Sequence, residues 1–152
     1  MTNIGDLQLE SLLMLEVKQL TRFVQIRGYV FPRGDVNFSA AERVCEHHNA
    51  HLVHINGATE NTFLKSFLSD LKDNNHWIGL TDHVTEGIWK WYDSYTVATY
   101  FNWKPGEPNQ GKSANCVAIF AQYSYNWVDE PCSHSFKALC EKTPNVETEV
   151  VG

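Results

Sequence analysis

The chain has 152 residues, of which 43% are hydrophobic and 12% aromatic, with a formal net charge of -6. That is enough for one domain with its own core, and too hydrophobic for a disordered chain. The diffuse acidic balance excludes nucleic acid or heparin as the main partner and favours cations or neutral ligands, and no apolar run reaches the ~20 residues that span a bilayer, so no membrane insertion is expected.

Residues 1–22 read as an amino-terminal amphipathic helix. Leu9, Leu13, Val17, Leu20 and Val24 recur on one helical face across 7–24. This stripe covers about two heptads and is a candidate neck for homo-oligomerisation. As a secretory leader the segment fails, because it lacks a basic start and Asp6, Glu10 and Glu16 interrupt its apolar residues.

Tyr29-Val30-Phe31, closed by Pro32 and Gly34, reads as a strand and turn. Ser39, with Glu42 three residues on, has the form of a capping box that opens a helix through Cys45 to about His48. Leu52, Val53 and Ile55 make a short strand, ended by Asn56-Gly57. Thr59 is the expected cap of a second helix running to Leu71, with Phe63, Leu64, Phe67, Leu68 and Leu71 on its apolar face. Trp77-Ile78-Gly79-Leu80 is a buried-strand candidate. Val84 to Gly111 has little periodicity but carries Trp89, Trp91, Tyr92, Tyr95, Tyr100, Phe101 and Trp103. Long irregular stretches in compact domains are usually functional, and aromatic side chains can pack one on its own small core. Val117 to Phe120, Asn126 to Val128 and Phe136 to Cys140 read as closing strands. The polar, acidic residues 143–152 read as a disordered tail.

Four cysteines, Cys45, Cys116, Cys132 and Cys140, fit two disulfides in any of three connectivities. Four reduced thiols or a zinc site are the competitors, but no CxxC spacing is present. Disulfides imply an oxidising compartment, so the protein is read as secreted and extracellular, its leader removed.

Several segments, in order, resemble the C-type lectin-like domain family. They are Trp77-Ile78-Gly79-Leu80, Glu86-Gly87-Ile88-Trp89-Lys90-Trp91, Phe101-Asn102-Trp103 followed by Glu107-Pro108-Asn109, Trp127-Val128-Asp129-Glu130-Pro131-Cys132, and Leu139-Cys140-Glu141. The resemblance covers residues 23–142. It implies an α+β fold, with two helices flanking short antiparallel sheets and a long irregular ligand loop. It also implies the pairings Cys45–Cys140 and Cys116–Cys132. In the chain-entropy model each bridge contributes roughly 3–4 kcal/mol.

In sugar-binding members a calcium ion sits at the long loop, and two sugar hydroxyls complete its shell. The resemblance assigns Glu107, Asn109 and Asp129 to calcium (Ca2+) and to the sugar; beside it, Asn126, Asn115 or Ser113 could replace the amide donor that the family's asparagine supplies, and Asn126 is taken as the further sugar contact. The glutamate–proline–asparagine order goes with mannose-type ligands, and its proline is cis in the family. Each hydroxyl would give an oxygen to the ion, donate to a carboxylate and accept from an amide. Asp82 and Glu86 match an auxiliary calcium position. The chain departs from the pattern at Val128, where the family has asparagine, at Ala114, where many binders have a third carboxylate, and at Gln110, which replaces an aspartate. Calcium takes six to eight oxygens, so these departures weaken the implied site.

The remaining candidates stand apart from the resemblance. His47, His48, His51 and His54 read as surface and packing residues, with His51 and His54 on opposite faces of a strand and so not convergent. The five tryptophans read mainly as core. Tyr123, Ser124 and Tyr125 are candidates for ligand contact, and Asn37-Phe38-Ser39 is a glycosylation acceptor pattern. No nucleophile–base pairing points to an enzyme. The sequence therefore predicts a calcium-dependent lectin of mannose-type preference, with glycans as partners. The alternative is a calcium-independent interaction module of the same fold that has lost the sugar site.

Overall fold

The computed structural model describes residues 28–142. The amino-terminal helix, its role as a neck and the acidic tail all lie outside the described residues. Helix α1 spans Phe38–His47 and α2 spans Ala58–Asp70. Strands β1 (Tyr29–Val30), β8 (Cys140–Lys142) and β2 (Ala50–Leu52) form a small antiparallel sheet in the order β1-β8-β2. A second sheet runs β4 (Lys90–Trp91), β3 (His76–Thr81), β5 (Cys116–Phe120), β6 (Asn126–Glu130). Strand β7 (Lys137–Ala138) pairs with β3 in parallel. The fold is α+β, as the sequence predicts.

The helix starts differ from expectation. Asn37 caps α1, its side chain accepting from the Ala40 N–H at 2.9 Å, while the Ser39 hydroxyl donates to that same oxygen. Glu42 takes no part in a capping box. It is buried and reaches across to accept the Leu52 N–H at 3.0 Å, which ties α1 to β2. Gly57, with no side-chain cap, precedes α2 in place of Thr59. Leu64 and Leu68 carry the buried face of α2, but Leu71 lies past its end and is 55% exposed.

Two core clusters meet along β3. One gathers Leu64, Leu68, Ile78, Leu80, Trp127 and Leu139; the other gathers Phe38, Cys45, Trp77, Ala118 and Cys140. The disulfides are Cys45–Cys140, from α1 to β8, and Cys116–Cys132, from the start of β5 to the turn after β6. These are the pairings the family resemblance implies.

Gly79 joins the two sheets. The β3–β5 register shifts between Trp77 and Thr81. There the Gly79 N–H donates to the Val53 carbonyl at 3.0 Å, and its own carbonyl accepts from Tyr92 N–H at 2.8 Å. A Cβ at this position would lie 2.8 Å from the Leu52 carbonyl oxygen and 3.2 Å from that of Val53. Both neighbours are backbone and cannot swing aside. Gly79→Ala is therefore expected to cost about 1–3 kcal/mol, in line with overpacking elsewhere. A chemical denaturation midpoint equal to that of the parent protein would show that the junction is looser than described.

Candidate functional site

The long loop is held over β6 by a parallel bridge between Trp103 and Trp127. Trp127 N–H donates to the Asn102 carbonyl and Lys104 N–H to the Trp127 carbonyl, both at 2.9 Å. Aromatic packing supports this bridge, since Trp103 meets Trp89 at 5.1 Å and Trp127 at 6.2 Å between ring centroids. Trp77, Trp89, Trp91 and Trp127 are buried and Trp103 is partly so, which fits the core role read from sequence. Because the two segments run in the same direction, the residues after Trp103 advance alongside those after Trp127. That brings Glu107, Asn109 and Gln110 to Asp129.

Asp129 is buried, and its carboxylate organises the loop. One oxygen accepts from Asn109 N–H at 3.2 Å and the other from Gln110 N–H at 3.0 Å. The Gln110 side chain donates to the Asp129 carbonyl at 2.9 Å. Glu107 faces the same carboxylate, and one of its oxygens (Oε2) is buried with no hydrogen-bond partner. Burial pushes the Glu107 carboxyl up from its ordinary 4.5 to about 7, aided by the neighbouring Asp129 carboxylate, with Lys104 opposing. The Glu107–Pro108 peptide is cis, as the resemblance implies. The Asn109 side chain is exposed at the loop surface.

The other assigned residues divide. Asp82 is buried; one oxygen accepts Gly87 N–H at 2.9 Å and the other has no partner. Glu86 is exposed beside it, its carboxyl raised by desolvation and by the Asp82 charge. The amide oxygen of Asn115 is also buried without a partner, and the Asn115 carbonyl accepts from Asp82 N–H at 3.2 Å. Asn126 lies three residues along β6 from Asp129, about 10 Å at the usual strand rise. Its side-chain oxygen accepts from Lys65 and Asn102. Tyr125 is a structural residue, its hydroxyl donating to the Asp73 carbonyl at 2.8 Å, and the Tyr123 ring lies under the Lys104 ammonium. Ala114 and Val128 are buried and offer no side-chain oxygen. Gln110 is the residue whose part sequence reasoning missed. Its place directly after the motif was the available signal.

The histidine expectation is overturned. Strand β2 ends at Leu52, so strict alternation does not reach His54, and the two rings meet at 4.7 Å. Asp93 joins them from the turn after β4, in contact with His54 and 3.7 Å from His51. Burial lowers the His54 pKa against the pull of Asp93.

The model of the lectin C-type domain matches residues 35–142. This chain belongs to the C-type lectin domain family. It is 34% identical over 120 residues to human C-type lectin domain family 10 member A, covering 74% of this chain and 36% of that protein. The chain thus spans about a third of the length of this curated relative. The carbohydrate-recognition domain of mouse scavenger receptor C-type lectin superposes with a TM-score of 0.69 at 33% identity, covering 78% of this chain and 89% of that one. A calcium-independent type II antifreeze protein superposes at 0.67 and 27% identity, covering 76% of this chain and 85% of that one. The structures it superposes on thus include a carbohydrate-recognition domain and a protein described as calcium-independent.

The raised Glu107 carboxyl gives this lectin domain a pH signature. Folded, it keeps its proton to about pH 7, whereas unfolded it releases it near 4.5. The folded state therefore binds more protons across that window, and stability falls as pH rises through it. With a chelator present, the melting temperature should drop between about pH 4.5 and 7, and Glu107→Gln should flatten that drop. Solvent screening makes the effect modest. An identical slope in the variant would mean that Glu107 is not raised.

Proposed function

We propose that this domain binds carbohydrate in a calcium-dependent manner, with mannose-type preference. Glu107, Asn109 and Asp129 are the residues that would hold the ion and the sugar. The observation that carries this is the juxtaposition of the Glu107 and Asp129 carboxylates, with a buried Glu107 oxygen that lacks a partner. Two carboxylates forced together favour a divalent cation over a second proton, and calcium is a hard ion that prefers such oxygens. When bound, calcium would polarise and orient two vicinal sugar hydroxyls.

The chain's own groups supply the rest. The carboxylates of Glu107 and Asp129 accept hydroxyl protons, and the exposed Asn109 amide donates to a hydroxyl oxygen. The Asn109 and Gln110 N–H groups hold the Asp129 carboxylate in place. Asp82, Glu86 and Asn115 support an auxiliary calcium position, two of them with unpartnered buried oxygens. Two disulfides with no free cysteine among the described residues fit an extracellular setting. Shallow hydroxyl-reading sites bind weakly, so an oligomeric neck at 7–24 would strengthen binding through avidity.

A second possibility has its own support. The Gln110 amide already occupies the Asp129 carbonyl, and Ala114 and Val128 add no ligand, which favours a calcium-independent interaction module. Thermal melts separate the two. Calcium should raise the melting temperature, mannose should raise it further only with calcium present, galactose should not, and chelator should reverse the gain. A ligand at 100 times its Kd stabilises by about 2.7 kcal/mol. A melt indifferent to calcium, chelator and mannose would favour the calcium-independent module.

A further inference from the structure

His51, His54 and Asp93 take no part in the sugar site. Among the described residues they form a group of three whose ligand atoms all lie within 4.8 Å of one another. The three come from two sheets. His51 is in β2, His54 just beyond it, and Asp93 in the turn that follows β4.

Both imidazoles are oriented toward Asp93. The His51 Nδ1 lies 2.8 Å from the Leu52 carbonyl oxygen. A carbonyl only accepts, so Nδ1 carries the proton and a neutral ring leaves the Nε2 lone pair free. This is the backbone anchoring by which proteins orient metal-bound imidazoles. Nε2 is also the His51 atom that faces Asp93. The His54 ring is held flat against Trp91, with centroids 4.9 Å apart and planes inclined by 19°, and its Nε2 faces the other Asp93 oxygen. The Glu42 carboxylate acts on both His51 and Asp93, adding negative potential around the group.

We propose that His51, His54 and Asp93 form a binding site for a zinc-class divalent ion, distinct from the calcium region. Two imidazoles and one carboxylate suit a borderline ion such as zinc, not calcium, which prefers an all-oxygen shell. Ligands about 2 Å from a tetrahedral zinc lie about 3.3 Å from one another. Rotation of the Asp93 side chain, which is 31% exposed, together with closure of the His51 and His54 rings toward each other, would draw the group in to that size. The ion would replace the direct His54–Asp93 contact and clip the exit of β2 to the turn after β4. Its fourth position would stay open to water or to a donor from another molecule.

The test is zinc titration of the full chain by calorimetry, with calcium present throughout. The parent protein should take up one zinc saturably and melt at a higher temperature with it. Asp93→Asn and His51→Gln, both at partly exposed positions, should each weaken uptake at least tenfold and lose the zinc-dependent rise in melting temperature. Their near-ultraviolet circular dichroism should match the parent's, which separates ligand loss from misfolding. No saturable uptake by the parent, or equal uptake by both folded variants, would overturn the proposal.

Discussion

The candidate site depends on one backbone contact, the parallel bridge that docks Asn102–Lys104 on Trp127. An irregular loop has no ladder of its own, so something must fix where its side chains arrive. Here two hydrogen bonds set the register and the tryptophan cluster supplies the apolar burial that holds it. Everything downstream follows from that register, including the pairing of the Asn109 and Gln110 N–H groups with a carboxylate on the neighbouring strand. The Cys116–Cys132 bridge closes the same region by linking the start of β5 to the turn after β6.

What the loop delivers is a concentration of negative charge. Glu107 meets a buried Asp129, and Glu86 stands beside a buried Asp82. Both glutamates have raised carboxyls, the mark of acids brought close together in a partly desolvated place. Such an arrangement is costly unless protons or cations share it. The departures at Ala114 and Val128 bear on how many oxygens a cation would find beside the two carboxylates and the exposed Asn109.

Much of this was legible in the sequence because it rests on covalent or strongly periodic features. The cysteines, the tryptophan motifs and the apolar face of α2 identify the fold, and Glu107, Asn109 and Asp129 mark the loop. The misreadings share a physical cause: local patterns were outbid by tertiary contacts. Glu42 had the spacing of a capping box but accepts from the Leu52 N–H, from α1 to β2. Tyr125 carried ligand-like chemistry, but its hydroxyl serves the Asp73 carbonyl. His51 and His54 looked divergent only if β2 continued, and their partner Asp93 is brought in from a distant turn.

In the proposed site Glu107 and Asp129 would share one calcium ion, which would have to displace the proton that Glu107 otherwise keeps to about pH 7. Calorimetry of calcium binding in buffers of different ionisation enthalpy measures that proton directly. About one proton should be released per ion near pH 6, falling toward zero by about pH 8. Calcium binding without proton release at pH 6, or no binding heat at any pH, would contradict it.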